Sequence, residues 1–248
     1  MHITIAIPTF NRIEQLKRCV QSIQSQSIDD EIRVSIAISN TASSDNTYSY
    51  LSTLKEAGGN FFITNEIGAD TQRNLGSLAN TIPPDSDWVW LMGDDDYLVS
   101  KHSVSIVHEI IQKSDTVDLS FVHACQARRS AQSEKMFTNS VLGLCEEFGY
   151  HEMLGWFSSI IMRKEYMVTG LKNTQERFRL GGLETSAFTH SSEFLKLLFD
   201  KPGIFVDYPL VEPQDNDMSD ETVQRWLNEN ICERYFYVVD DIIKMREQ

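Results

Sequence analysis

Apolar positions in the first half of the chain switch repeatedly between strand and helix periods, and turn residues mark each switch. Ile3 to Ile7 form a near-continuous apolar run. Pro8-Thr-Phe-Asn-Arg12 closes it, and because proline donates nothing to a sheet ladder, the run reads as a strand ending there. From Glu14 to Gln26, Leu16, Val20 and Ile23 recur at helical spacing. Arg33 to Ile38 predicts a second strand and runs into the small polar cluster Ser39 to Thr47. Ser44 or Asp45 there would cap a helix through Leu51 and Leu54, which Gly58-Gly59 ends. Phe61 to Thr64 predicts a third strand, Asn65 to Gly68 a turn, and Thr71 to Asn80 a helix. After Pro83-Pro84, Trp88 to Met92 has the aromatic and aliphatic bias of a buried strand. Ser103 to Gln112 is amphipathic, and Val117 to Val122 predicts a further strand. Strands alternating with helices imply an α/β fold, a mostly parallel, doubly wound sheet flanked by helices.

The second half is less regular. Ala127 to Lys135 predicts a surface loop, Trp156 to Met162 a strand and Lys164 to Leu171 a short helix. Asn173 to Leu183, with Arg177, Arg179 and Gly181-Gly182, predicts a mobile loop. Ser192 to Phe199 reads as helix, Gly203 to Val206 as strand, and Val211 to Ser219, with Asp215 and Asp217, as turn. From Asp220 to Arg246 the apolar positions Val223, Trp226, Leu227, Ile231, Tyr235, Val238, Ile242 and Met245 predict a long C-terminal amphipathic helix. It would pack on the core, with a dimer or membrane-surface face as the alternative.

Composition narrows the functions. The 248 residues allow one large domain, and 22 basic against 36 acidic residues give a formal charge of -14. That balance argues against nucleic acid and against a polybasic grip on anionic lipid. Cys19, Cys125, Cys145 and Cys232 form no C-x-x-C pair; with no signal-peptide pattern, they read as reduced thiols of a cytoplasmic protein. No apolar run approaches the ~20 residues of a membrane span. No G-x-G-x-x-G or G-x-x-x-x-G-K-[ST] occurs, so neither a dinucleotide fold nor a P-loop is indicated.

The candidate chemistry lies after Met92. Gly93 ends the apolar run and Asp94, Asp95 and Asp96 follow. Three adjacent carboxylates repel one another, and their hard oxygens suit Mg2+ or Mn2+; the alternative is a solvated acidic turn. Position favours the first reading, because ligands of open α/β sheets sit beyond the carboxyl ends of the strands.

Four segments in order, Ile5-Ala-Ile-Pro-Thr-Phe-Asn-Arg12, Ile38-Ser-Asn-Thr-Ala-Ser-Ser-Asp-Asn-Thr47, Asn65-Glu-Ile-Gly68 with Arg73-Asn74, and Leu91-Met-Gly-Asp-Asp-Asp-Tyr-Leu98, resemble the motifs of the inverting family-2 glycosyltransferases of the GT-A fold. The resemblance covers the first ~100 residues and weakens beyond residue 125. It implies a single GT-A domain: residues 1–125 as the nucleotide-sugar-binding half, 126–218 as the acceptor-binding half, and 219–248 as the C-terminal helix. It implies a nucleotide-diphosphate sugar donor and an Mn2+ or Mg2+ cofactor. The acceptor would be a glycan or lipid-linked glycan, in surface polysaccharide synthesis such as O-antigen or capsule. Membrane contact would be peripheral, at the inner face, and a homodimer would form through the terminal helix.

By the same resemblance Pro8, Thr9, Asn11, Arg12, Asn40, Arg73 and Asn74 line the donor pocket. Asp95 and Asp96 hold the metal, and Asp94 contacts the sugar. Asn40 stands where the family usually has Asp, and Gly93 where the D-x-D-D form has its first Asp. No Glu-Asp pair supplies the base that inversion requires, so His190 and Glu193, with Glu184 behind them, are the candidates. A lone histidine is more often structural. Trp156 and Tyr150 would stack on a sugar or sit in the core. The departures also fit a non-catalytic GT-A-like nucleotide-binding or assembly subunit. A sugar nucleotidyltransferase ranks last, since Ile7 to Arg12 has no glycine to cradle a triphosphate.

Overall fold

The computed structural model describes residues 1–214 apart from 42, 67–73, 115–116, 129, 131–134 and 182–187, together with residue 243. Four parallel strands occur where the apolar runs predict them. β1 (His2–Thr9) lies between β2 (Arg33–Thr41) and β4 (Trp88–Leu91), with β3 (Phe61–Glu66) outside β2. In register, Ile5 faces Ile36 on one side and Trp90 on the other, and Thr9 faces Asn40. The crossovers are α1 (Ile13–Gln24), α2 (Thr47–Ala57) and α3 (Asn74–Thr81).

Strand alternation sorts the core into two layers. Ile3, Ile5, Ile7, Ile36, Ile38, Trp88 and Trp90 face α1, α2 and α4 (Ser103–Lys113). Leu16, Cys19, Val20 and Ile23 give α1 its buried stripe. Ala6, Ala37, Val89 and Leu91 face the opposite layer, where the two alanines leave room for Leu78 and Ala79 of α3. Trp90 is wholly buried and its Nε1 donates to the Ser158 carbonyl at 2.8 Å. Truncating such a residue to alanine costs about 3–5 kcal/mol.

The second half extends the same sheet with antiparallel pairings. Beyond β4 the order is β8 (Ile160–Arg163), β6 (Phe121–Gln126), β9 (Pro202–Pro213) and β5 (Asp96–Leu98), and β7 (Met136–Ser140) also pairs with β9. β8 runs antiparallel to β4 and β6, β9 runs parallel to β6, and β5 and β7 are antiparallel to β9. The nine strands counted among the described residues are therefore parallel at the N-terminal end and mixed beyond it.

Several expectations for this half are corrected. Asn173 to Gly181 is not a loop but the end of α7 (Lys164–Gly181). Thr174 Oγ1 donates to the Gly170 carbonyl at 2.8 Å, Arg179 pairs with Glu176, and Gln175 Oε1 accepts the Gly76 N–H of α3 at 3.1 Å. A mostly polar outer face hid the helix, which ends at Gly181. The Trp156 strand begins only at Ile160, after a 3-10 turn at Phe157–Ser159. The Val117 strand begins at Phe121, and Val211 to Pro213 is strand rather than turn. A register shift between Ala124 and Gln126 lets β9 carry its bulged residues past β6. Helices α5 (Val141–Phe148), α6 (Tyr150–Leu154) and α8 (Thr189–Leu198) complete the second layer. Asp215, Asp217, Cys232 and nearly all of the expected terminal helix lie outside the described residues. Among the described residues no helix is long and apolar enough to cross a membrane.

Candidate active site

β1 has its neighbour β2 on one side and β4 on the other, so the strand order reverses at their carboxyl ends. Open α/β sheets bind ligands at this switch point. The acidic turn sits there. The Met92 N–H donates to the Ala6 carbonyl at 2.9 Å, carrying the β1 ladder one residue past β4. Asp96 N–H closes the turn onto Gly93 O at 3.2 Å, Gln214 N–H donates to Asp95 O at 2.8 Å, and Asp96 then pairs with Pro213 in β5. The turn is thus fixed from both halves of the chain.

The three carboxylates have different partners. Asp94 is 6% exposed; Thr9 Oγ1 donates to its Oδ2 at 2.7 Å and Arg12 Nη1 lies 3.2 Å from its Oδ1. The same Nη1 donates to Asp95 Oδ2 at 2.6 Å. Asp96, 2% exposed, instead accepts from the Ser158 hydroxyl. Burial pushes Asp94 up to about 6, against the pull of Arg12 and with the push of Asp95. Burial and then the Asp95 charge push Asp96 up to about 8, although the Ser158 hydrogen bond works the other way. Beneath the turn, Cys19 is buried and its thiol is driven well above its ordinary range, first by burial and then by the three acids, so it is no nucleophile.

Asp95 Oδ1 and Asp96 Oδ2 fold over Gly93. A Cβ there would lie 2.7 Å from Asp96 Oδ2 and 3.0 Å from Asp95 Oδ1. Two carboxylate oxygens converging on one small empty volume fit a hard divalent cation that takes its other ligands from water or a phosphate. They are a pair rather than a closed cage: no cluster of three or more His, Cys, Asp or Glu metal ligands forms among the described residues.

Beside the acids lies a network of polar side chains. Asn11 has φ +52°, a left-handed conformation that asparagine tolerates better than most residues. Its N–H donates to Ser43 Oγ at 2.9 Å, and its Oδ1 accepts the Ser44 N–H at 2.6 Å. Asp45 holds both adjoining helices, accepting from Ile13 N–H at 3.1 Å and Thr47 N–H at 3.0 Å. Asn40 is buried; its Nδ2 donates to Asn65 Oδ1 at 2.7 Å and its Oδ1 accepts from Ser43 Oγ. Asn74 Nδ2 donates to Thr9 O at 3.0 Å, while its Oδ1 is buried with no hydrogen-bond partner among the described residues. Pro8 is half-buried in the same strand end. Thr9, Arg12, Asn74, Asp94 and Asp95 thus meet at one place, with Asn11 and Asn40 adjoining. Arg73 and Glu184 lie outside the described residues.

His190 and Glu193 are placed differently. His190, 3% exposed, sits among Phe157, Phe188 and Phe194, with the Phe157 ring at 4.5 Å, and its Nε2 lies 3.4 Å from Ser191 Oγ. Burial lowers it to about 4, so it is neutral. Glu193, 5% exposed, accepts from Arg177 at 3.1 Å and Lys196 at 2.9 Å. Neither bonds to the acidic turn. Trp156 packs partly buried on the core, and the Tyr150 hydroxyl is buried without a partner among the described residues. Sequence reading missed Ser158 and Ser43, since hydrogen bonds to residues distant in sequence, Asp96 for one and Asn11 for the other, leave no periodic signal.

The arrangement defines a GT-A-type fold: a Rossmann-like parallel half, with an acidic turn at its switch point and a mixed-sheet second half. Residues 4–174 match Glycosyl transferase family 2, and the chain belongs to that family. Among solved structures it resembles S. aureus TarS 1-349, with a TM-score of 0.61 and 13% identity over 86% of this chain and 60% of that one. The same TarS fragment in complex with UDP-GlcNAc matches with a TM-score of 0.62 and 11% identity, over 98% of this chain and 67% of that one. The mannosyltransferase PcManGT from Pyrobaculum calidifontis, in complex with GDP-Man and Mn2+, matches with a TM-score of 0.61 and 10% identity, over 96% of this chain and 64% of that one. The chain spans 60% of the first of these proteins and 41% of the longer TarS chain. No curated protein matches it.

Proposed function

We propose that this glycosyltransferase moves a sugar from a nucleoside-diphosphate sugar to a hydroxyl of a glycan or lipid-linked glycan, with inversion. The carrying observation is the meeting of Thr9 and Arg12 from the end of β1 with Asp94 and Asp95 after β4. Nucleotide sugars bound to TarS and PcManGT support the donor class.

Asn40, Asn65, Asn11 and Ser43 form the wall for the nucleoside, and the free Oδ1 of Asn74 accepts a hydroxyl proton of the donor. Arg12, with a delocalised and permanent charge, faces the diphosphate. Asp95 and Asp96 would hold Mn2+ or Mg2+, with Asp94 toward the sugar. Such an ion, when bound, stabilises the negative charge that grows on the leaving diphosphate. Asp94, anchored by Thr9, keeps Arg12 and the sugar side of the pocket in register. The acceptor hydroxyl loses its proton to a side-chain base, and of the three candidates, His190, Glu193 and Glu184, we favour Glu184. His190 and Glu193 are already engaged by neighbours. Surface polysaccharide such as O-antigen or capsule is the context we favour, with synthesis at the cytoplasmic face of the membrane and a dimer through the terminal helix.

The test is a thermal-shift panel of nucleoside diphosphates with and without Mn2+, followed by donor turnover. A ligand that binds only the folded state raises the melting temperature. We expect one diphosphate to give a Mn2+-dependent shift, and Asp95→Asn and Asp96→Asn to abolish turnover. No shift with any nucleotide would reject the reading. Binding without turnover on any acceptor would favour a non-catalytic nucleotide-binding subunit, which the engaged His190 and Glu193 make the second reading.

A further inference from the structure

Ser158 reaches the acidic turn from the second half of the chain, 62 residues beyond Asp96. It is wholly buried in the 3-10 turn before β8. Its hydroxyl accepts the Gly93 N–H at 2.8 Å and so has its single proton free for Asp96 Oδ2. Its carbonyl accepts Trp90 Nε1 at 2.8 Å, which fixes the residue to the strand that leads into the turn. Trp90 is itself held in the core, so the hydroxyl cannot drift without disturbing the sheet.

The backbone of the acidic turn meets this hydroxyl only at the Gly93 N–H, and three other contacts hold it. Gly93 O, Gln214 N–H and the β5–β9 pairing close it separately. What Ser158 controls is the rotation of the Asp96 carboxylate. It pins Oδ2 over Gly93, where any side chain would collide with it and with Asp95 Oδ1. Gly93 supplies the space and Ser158 the direction.

We infer that Ser158 is a positioning residue for the divalent cation: it orients Asp96 over Gly93 so that Asp95 and Asp96 present oxygens to one ion. The inference rests on the metal role proposed above. Groups that hold a ligating carboxylate or imidazole in place commonly change metal affinity by about 10–100-fold when removed. The sequence offered no sign of this residue, because its partner lies on a distant segment.

The experiment measures Mn2+ binding to the full chain, without nucleotide, from the loss of the free-ion electron paramagnetic resonance signal. It compares the wild type with Ser158→Cys, Ser158→Thr and Asp96→Asn, each checked for folding by circular dichroism. Cysteine keeps the volume with a much weaker donor, and threonine keeps the hydroxyl. The binding component that Asp96→Asn removes is the specific one. We expect Ser158→Cys to weaken that component about tenfold or more, and Ser158→Thr to retain it. If Ser158→Cys binds as the wild type while Asp96→Asn does not, Ser158 has no positioning role and the metal reading stands. If both Ser158 variants lose it equally, packing rather than the hydroxyl is responsible, and the inference fails. If Asp96→Asn changes nothing, or the wild type binds no Mn2+, the metal reading falls and takes the inference with it.

Discussion

Arg12 Nη1 donates to Asp95 Oδ2 at 2.6 Å across 83 residues of sequence. Both side chains are largely buried, at 13% and 21% exposed. Arg12 is the residue immediately before α1, and Asp95 stands in the turn after β4, so the pair joins the two strand ends where the sheet reverses order. A charged pair in that position is a counterion arrangement: without a bound cation, the guanidinium offsets the charge of Asp94 and Asp95.

It follows that Arg12 and a divalent ion compete for the same carboxylates. Replacing Arg12 with Gln removes the resident positive charge and raises the affinity for Mn2+ alone, by about tenfold for ~1.4 kcal/mol of relieved competition. The same change should weaken nucleoside-diphosphate binding if Arg12 has the proposed role of facing the diphosphate. Titrations of Mn2+ and of the best diphosphate on the two proteins check both directions. Unchanged Mn2+ affinity in Arg12→Gln would show that the pair does not guard the ion site.

The acids also set a pH dependence. Asp94 is raised to about 6 and Asp96 to about 8, chiefly by burial, from ordinary values near 4. A carboxyl raised on folding binds more protons folded than unfolded, so its contribution favours the folded state at low pH and is lost as pH rises through the folded value. The ion-free protein should therefore lose melting temperature steadily between about pH 4 and pH 8 from these two groups. Mn2+ or Mg2+ favours the ionised carboxylates and should flatten that decline. Scanning fluorimetry across pH, with and without Mn2+, measures it; parallel curves would show that the ion does not engage these acids.

The first half of this fold could be read directly from the sequence because its strands are buried on both faces and its helices carry regular stripes, as Ile3 to Ile7 and Leu16 to Ile23 show. Turn chemistry at Pro8, Asp45 and Gly58 punctuates them. The acidic turn was legible for the same reason: it ends an apolar run. The second half resisted because its strands pair with segments distant in sequence, and some are short, four residues in β8. α7 was mistaken for a loop past Leu171 because its stability comes from α3 and α8, through Gln175 on Gly76 and Gly170 beneath Phe194, rather than from its own apolar stripe. Ser158 was invisible because a serine announces nothing until Gly93 and Asp96 are brought to it.

Asn40 illustrates a substitution whose partner explains it. Its amide donates to Asn65 Oδ1, and the Asn65 amide donates in turn to the Tyr48 carbonyl at 3.0 Å. Aspartate at position 40 would set oxygen against oxygen unless Asn65 rotated and gave up Tyr48. Asn40→Asp should cost about 1–3 kcal/mol, the price of an unpaired buried polar group. Urea denaturation measures the loss, and the diphosphate panel should show a changed rank order of nucleobases. Full stability in the variant would mean that Asn65 turns freely, and that the asparagine pair does not shape the wall.

The acceptor base can be assigned by separating stability from turnover. The Glu193 carboxylate receives both Arg177 and Lys196 and ties α7 to α8. Glu193→Gln should therefore lower stability, by about 1–3 kcal/mol for a buried charge-assisted pair, and leave kcat within a few-fold at temperatures where it stays folded. His190 is enclosed by aromatic rings and is lowered to about 4 by burial, so its titration cannot appear as a limb near pH 6.5 in a rate profile. His190→Gln should act in the same way as Glu193→Gln. Glu184→Gln, in contrast, should leave the melting temperature and the Mn2+-dependent diphosphate shift intact while reducing kcat by about 10²–10⁴-fold, the range of a lost general base. The acidic limb of the rate profile should vanish with it. If Glu184→Gln retains turnover and His190→Gln abolishes it without loss of stability, then the buried imidazole takes the proton, and the aromatic enclosure around it must open to the acceptor.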